Sequence, residues 1–217
     1  MNLFRSVLFL PADNPRAVDK ARGLDCDVAV LDLEDAVGPE NKAAARAAAV
    51  EAVRQRGLRP RLAVRVNAVD TPWGADDLTA LAEAGAGLVV LPKVETPDTI
   101  ADAARALGGG ARLIAMIETP LALKNLWAIA EAGGGLEALM LGVNDLAATL
   151  TTGPSPDREP LKPWLAAVVA AARLNGLAAI DGVFNRLDDP EGLAAECAQG
   201  RLYGFDGKSL IHPNQIA

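Results

Sequence analysis

The stretch Leu113–Asp145, LIAMIETPLALKNLWAIAEAGGGLEALMLGVND, decides the fold. It opens on the apolar run Leu113-Ile114-Ala115-Met116-Ile117 and ends that run in Glu118. A segment of helical period follows from Pro120 to Ala132, and Gly133-Gly134-Gly135 leads into a second apolar run. Asp145 comes directly after Leu139-Met140-Leu141-Gly142-Val143-Asn144. Short apolar runs with little alternation are the mark of parallel strands buried on both faces. Pro in the first helical turn and Gly after the last are helix start and stop chemistry. The stretch is therefore one strand–helix–strand unit, and its two acids project from adjacent strand ends. Two hard oxygen ligands converging in an otherwise apolar cavity point to bound Mg2+. A single acid after a strand is ordinarily a turn residue or a helix N-cap. The metal reading draws its weight from polar residues recurring at equivalent positions along the chain.

The same punctuation extends in both directions. Strands are predicted at Ser6–Leu10, Val28–Leu33, Leu62–Val66, Leu88–Leu91, Leu113–Ile117, Ala138–Leu141, Leu177–Ile180 and Leu202–Phe205. Alanine-rich helical segments are predicted at Pro15–Arg22, Asn41–Arg56, Ala75–Ala84, Pro97–Leu107, Pro120–Ala132, Leu161–Asn175 and Pro190–Gln199. Eight strands alternating with helices argue for an α/β fold, a TIM (β/α)8 barrel forming a single domain over residues 1–217. No G-x-G-x-x-G follows the first strand and no Walker sequence occurs, so a phosphate-cradling loop is not expected. Thr151–Pro160, TTGPSPDREP, is the one long irregular stretch and reads as a flexible loop able to cover a site. After the eighth predicted strand the sequence runs only from Gly207 to Ala217. An eighth helix is expected to be missing or barely begun, its flank covered by another chain, lost, or cut away.

Bulk properties narrow the function classes. Of 217 residues, 51% are hydrophobic and 23% charged, a globular balance. The net charge of −7 disfavours nucleic acid or an anionic membrane surface as the main partner. The N-terminal apolar stretch is broken by Pro11 and Asp13 and is too short for a signal or a membrane span. A soluble cytoplasmic protein is expected. Cys26 and Cys197 lack metal-ligand spacing and read as two buried free thiols in a reducing compartment.

In a barrel of this kind the C-terminal strand ends build the site. They carry Asp13 and Asn14, then Glu34 and Asp35, Arg65 and Asn67, Lys93 and Glu95, Glu118, Asp145, Asp181, and Asp206 with Lys208. The opposite rim reads as richer in glycine and small residues. Arg65 stands inside an apolar run, an expensive place for a guanidinium unless it faces an anion. Its planar fork suits a substrate carboxylate or an enolate oxygen, and a structural ion pair with Glu34 or Asp35 is the rival. Lys93 could form a Schiff base, but among so many acids a salt-bridged lysine fits better. His212, the only histidine, precedes Pro213 and reads as structural. With no Gly-x-Ser-x-Gly elbow, a Ser-His-Asp hydrolase is not favoured.

The segments RSVLFLPADNPRAVDKA, VAVLDLEDAVGPENKAAAR, VRVNAVDTPWGADDL, VVLPKVE, LIAMIETPLAL, LGVNDLAA, AIDGVFNRLDDPEGL and GFDGKSLIHPNQI resemble the citrate lyase beta subunit / malyl-CoA lyase family of HpcH/HpaI type. The likeness runs in order from about Arg5 to the end of the chain. It implies a barrel of the phosphoenolpyruvate/pyruvate superfamily, assembled as a homotrimer or hexamer. The implied activity is reversible cleavage of citryl-, malyl- or citramalyl-CoA into an acyl thioester and a 2-oxo acid. By motif, Glu118 and Asp145 resemble the Mg2+ ligands, and Arg65 the residue on the oxo-acid side. The backbone of Gly142, Val143 and Asn144 is implied to cradle the oxo-acid carboxylate. Glu34 and Asp35 are implied to hold metal-bound waters, and Asn14, Arg16 and Lys20 to meet the CoA or carrier-bound thioester.

Retro-Claisen cleavage fits these residues, because charge developing on the hydroxyl oxygen needs a metal and the departing enolate needs a cationic neighbour. Family members acting on free CoA esters continue past IHP into a helix and a lid that lends a catalytic acid to the neighbouring subunit. That C-terminal helix and lid are expected to be truncated or absent here. Two alternatives stand beside the lyase reading: a metal-dependent aldolase on a free hydroxy-oxo acid, and a non-catalytic binding or assembly subunit.

Overall fold

Eight parallel strands close into a barrel in chain order in the computed structural model, which describes residues 3–55 and 57–216. They are β1 (Ser6–Pro11), β2 (Val28–Asp32), β3 (Arg61–Arg65), β4 (Leu88–Leu91), β5 (Arg112–Ile117), β6 (Leu136–Leu141), β7 (Ala178–Asp181) and β8 (Gly207–Leu210). Around them run α1 (Pro15–Ala21), α2 (Lys42–Gln55), α3 (Gly74–Ala84), α4 (Pro97–Ala106), α5 (Pro120–Lys124), α6 (Leu126–Ala130), α7 (Val143–Thr149), α8 (Lys162–Leu174) and α9 (Pro190–Tyr203). Local chemistry fixes several helix starts. Asn14, Thr119 and Asp189 accept from the backbone N–H of Ala17, Ala122 and Gly192, and Pro15, Pro120 and Pro190 occupy the first turn.

Side chains alternate along each strand, and the alternation sorts two apolar layers. Val28, Val30, Ala63, Val90, Ile114, Met116, Met140 and Ile180 pack together in one cluster, the plug of the barrel. The intervening Ala29, Leu31, Val89, Leu113, Ala115 and Leu139 pack with Ala45, Ala49, Ile100, Ile129 and Val168 of the helices. One step beyond the plug, the same period turns Asp32 and Arg65 inward at the C-terminal mouth. The β2–β3 register sets those two residues side by side.

The barrel closes where β8 pairs with β1, Ser6 opposite Lys208 and Leu8 opposite Leu210. A Cβ on Gly207 would lie 1.8 Å from the Phe4 carbonyl oxygen, so only glycine lets these backbones meet.

Four expectations change. Leu202–Phe205 is not the eighth strand: α9 continues to Tyr203, and Gly204 ends it in a left-handed conformation. The true β8 escaped notice because Lys208 makes it look polar. Val143–Thr149, which is not among the predicted helices, is α7, and the Pro120–Ala132 helix breaks at Asn125, whose side-chain amide donates to the Glu95 carbonyl. Cys26 is buried as expected, but Cys197 is exposed on α9. The predicted end of α2 at Arg56 lies outside the described residues. Among those described, no helix is long and apolar enough to cross a membrane.

Candidate functional site

A cavity of about 370 Å³ opens at the C-terminal mouth, lined by Asp32, Asp35, Arg65, Glu118, Gly142–Asp145 and the apolar side chains of Phe9, Met116, Val183 and Ile211. Arg65 is its organising cation. Its Nε donates to Asp32 Oδ1 at 2.7 Å and its Nη2 to Asp32 Oδ2 at 2.6 Å. The Phe9 ring centre lies 5.1 Å from the guanidinium carbon. Nη1 stands 3.0 Å from Glu34 Oε2, 3.5 Å from Asp35 Oδ2 and 3.9 Å from the Met116 sulfur. Burial works against the charge on Arg65, but hydrogen bonds and charge from Asp32, with Glu34 and Asp35, more than offset it and raise the pKa.

The rival reading's ion pairs with Glu34 and Asp35 are both present, and a third partner joins them. The residue that grips Arg65 is Asp32, and its bidentate hold leaves only the Nη1 corner facing outward rather than the whole fork. Sequence reading passed over Asp32 in favour of the two later acids of LDLEDA. The usable signal was the inward series Val28, Val30, Asp32.

Lys93 ties the acids together. Its backbone is left-handed (φ 48°), a strained conformation for a side chain of this size, and its N–H donates to Glu118 Oε1 at 2.7 Å. Its ammonium pairs closely with Glu34 Oε1 and lies 3.9 Å from Asp145 Oδ2, the salt-bridged state expected of it. Glu34 Oε2 is the one buried side-chain oxygen, among the described residues, without a hydrogen bond; Arg65 Nη1 is near it but off line. Burial pushes the Glu34 carboxyl above its ordinary pKa, against the pull of Arg65 and Lys93. Burial likewise lifts Glu118 to about 7, helped by the charges of Glu34 and Asp145 and opposed by the Lys93 N–H and Arg65.

Glu118 and Asp145 do converge on the cavity. Gly142 brings them together: a Cβ there would fall 2.2 Å from Glu118 Oε2. Among the described residues no three His, Cys, Asp or Glu side chains form a ready-made cage. Mg2+ does not require one, since it keeps several waters and is held by one or two carboxylates plus substrate oxygens. Five carboxylates, Asp32, Glu34, Asp35, Glu118 and Asp145, face two cations, Arg65 and Lys93. The excess negative charge, the raised Glu118 and the unbonded Glu34 oxygen all fit a divalent cation.

Gly142, Val143 and Asn144 line the cavity, where α7 begins without a side-chain cap. Asn144 exchanges amide hydrogen bonds with Asn185 at 3.2 and 2.8 Å. Asn14, Arg16 and Lys20 are exposed on and before α1 and do not line the cavity; Asn14 is the α1 cap.

Three other acids or loops fall elsewhere. Asp181, one residue past the inward Ile180, turns to the helix layer and pairs with Arg158 (2.8 Å) and Lys208 (3.3 Å). Asp206 precedes β8 on the opposite rim, where it pairs with Arg173 at 2.7 Å. The Thr151–Pro160 loop does not line the central cavity; it borders a neighbouring one and is anchored by buried Arg158, bonded to Asp181 and Gln199. His212 is structural as expected, its Nδ1 accepting from the Asn214 N–H.

The opposite rim is not poor in charge. Arg5 pairs with Asp27 and Arg61 with Glu137, both at 2.6 Å. What distinguishes the C-terminal mouth is burial and unbalanced acidity.

Residues 5–213 match the family model described as HpcH/HpaI aldolase/citrate lyase. A (3S)-malyl-CoA thioesterase of Cereibacter sphaeroides is 45% identical over 216 residues, 98% of this chain and 74% of the relative. The citrate lyase subunit beta of Escherichia coli K12 is 34% identical over 223 residues, 98% and 74% of the two chains. Among solved structures, the protein CitE of Mycobacterium tuberculosis in complex with magnesium and pyruvate superposes with a TM-score of 0.85 at 35% identity, covering 99% of this chain and 87% of that one. The same protein has also been crystallised with magnesium, acetoacetate and coenzyme A (TM-score 0.85, 35% identity, covering 99% of this chain and 78% of that one). Matched by the family model over residues 5–213 and by relatives at 34–45% identity over nearly its whole length, the chain belongs to the HpcH/HpaI aldolase/citrate lyase family.

Proposed function

We propose that this protein is a Mg2+-dependent carbon–carbon lyase that cleaves a short 3-hydroxyacyl thioester into an acyl thioester and a 2-oxo acid. The observation that carries the reading is the pair Glu118 and Asp145 facing one cavity with the Nη1 corner of Arg65. The magnesium and oxo-acid or coenzyme A complexes of CitE from M. tuberculosis support it.

Glu118 and Asp145 would hold the ion, and when bound it supplies a Lewis acid to the hydroxyl and carboxylate oxygens of the oxo-acid half. In the cleavage direction a base takes the hydroxyl proton, the hydroxyl carbon becomes the oxo-acid carbonyl, and the broken bond's electron pair passes to the thioester enolate, whose α-carbon takes up one proton to give the acyl thioester. Arg65 contributes a buried N–H donor, kept charged by Asp32, for the oxygen on which that charge appears. Asp35 lies at the same mouth and Glu34 behind it, where they would order water around the ion. The backbone from Gly142 to Asn144 would receive the oxo-acid carboxylate. Arg65 is the one cationic side chain lining the cavity among the described residues, and the remaining wall is mainly acidic or apolar. That balance favours glyoxylate or pyruvate over a dicarboxylic oxo acid.

A second reading comes from the relatives at 45% identity, which are named (3S)-malyl-CoA thioesterases. Hydrolysis would release free CoA and leave the hydroxy acid whole, so products separate the two. Malyl-, citramalyl- and citryl-CoA should be assayed for 2-oxo acid and for thiol, with and without Mg2+. The lyase reading expects 2-oxo acid only with Mg2+; free thiol without 2-oxo acid replaces it with the thioesterase. In calorimetry Glu118→Ala should abolish Mg2+-dependent pyruvate binding, and unchanged binding would remove Glu118 from the ligand set.

A further inference from the structure

Lys93 touches all three acids that matter to the proposed ion. Its N–H bonds Glu118, its ammonium pairs with Glu34, and the same ammonium lies 3.9 Å from Asp145. The backbone contact to Glu118 is available to any residue, so the side chain's part is its charge, which meets buried Glu34 and reaches Asp145. The left-handed backbone at φ 48° makes lysine a costly choice where glycine would be unstrained. The side chain is 40% exposed, so no packing need explains it either. What lysine adds is a positive charge set between Asp145, one of the two proposed ligands, and Glu34 behind the ion.

We propose that Lys93 is a built-in counter-ion that lowers the site's affinity for Mg2+, a positioning and tuning residue rather than a ligand. The inference rests on the functional reading above. By occupying part of the negative field of Glu34 and Asp145, the ammonium keeps the mouth from becoming a permanent cation trap and leaves the ion exchangeable. A merely structural Lys93 makes the opposite prediction. Its removal would loosen Glu34 and Glu118 and weaken metal binding.

The test is calorimetric titration of Mg2+ alone, then of pyruvate at saturating Mg2+, into the wild type, Lys93→Met, Lys93→Gly and Lys93→Arg. Lys93→Gly keeps the N–H to Glu118 and relieves the strained φ, so it serves if the methionine variant does not fold. Removing the charge should tighten Mg2+ by about tenfold or more, the effect of a screened unit charge a few ångströms from a divalent ion. Lys93→Arg should stay within about threefold of wild type, as expected if the charge is what counts. Unchanged or weaker Mg2+ binding in a folded Lys93→Met or Lys93→Gly overturns the inference while leaving the functional reading in place. Failure of the wild type to bind Mg2+, with and without pyruvate, overturns both.

Discussion

Glu118 shows how far one side chain can be displaced from its ordinary chemistry. Its carboxyl is buried, with one N–H donor and two acidic neighbours, and its pKa rises from 4.5 to about 7. The raised value means the folded protein binds a proton there that the unfolded chain has released. Stability is then greatest below the ordinary glutamate pKa and falls as pH climbs from about 4.5 through 7. The whole shift corresponds to roughly 3 kcal/mol. Urea unfolding at pH 5, 6, 7 and 8, in chelator and without divalent cations, should show the wild type losing ground to Glu118→Gln across that window. Parallel pH profiles would show that Glu118 is ionised at no cost. At this scale the sequence was legible where a residue was out of place. Arg65 in an apolar strand, and Glu118 and Asp145 at strand ends, were visible because each contradicts its surroundings. Asp32 was not, because it sits beside two further acids and only strand parity separates the inward carboxylate from the others.

At the level of elements, the site is made by a close approach. β5 delivers Glu118, β6 runs straight into α7, and Gly142 at that junction has φ −90°. Glycine is required there for space and not for a left-handed backbone. A Cβ at 142 would crowd both the Glu118 carboxylate (2.2 Å) and its Cβ (2.5 Å), so Gly142→Ala should shift the whole Glu118 side chain and weaken Mg2+-dependent pyruvate binding by about 10–100-fold, the usual effect of disturbing groups that orient a ligand. Circular dichroism checks the fold and calorimetry the affinity; undiminished binding would place the ion away from the Glu118–Gly142 contact. The strands on either side were readable because parallel strands buried on both faces leave uninterrupted apolar runs. β8 was not readable for a physical reason. Lys208 and Ser209 turn their polarity to the helix layer and to the Asp181 carbonyl, where Asp181, Gly182 and Glu196 satisfy them. The apolar residues just ahead of it, Leu202 and Tyr203, are the tail of α9 instead. Likewise α7, seven residues long, offers too little sequence for its period to appear.

Across the whole molecule, charge is divided between two ends of one barrel. At the N-terminal end Arg5, Arg61 and Arg173 each meet an acid, so those charges are matched by partners at partly exposed positions. At the C-terminal end the acids outnumber the cations around a partly buried cavity, and one buried oxygen of Glu34 has no hydrogen bond. Composition and run spacing made the barrel legible, whereas this imbalance depends on which charges strand register brings together. It has a thermodynamic consequence for the molecule as a unit. A ligand that binds only the folded barrel stabilises it by about 2.7 kcal/mol at a hundred times its dissociation constant. For a chain of 217 residues that corresponds to a rise in melting temperature of about 5–10 °C. Mg2+ with pyruvate should produce that rise in the wild type. Pyruvate without Mg2+ should not, and Glu118→Ala should lose the response to the pair. A melting temperature indifferent to saturating Mg2+ and pyruvate would mean that the acidic mouth is stable as it stands, and the metal-dependent reading of the barrel would fail with it.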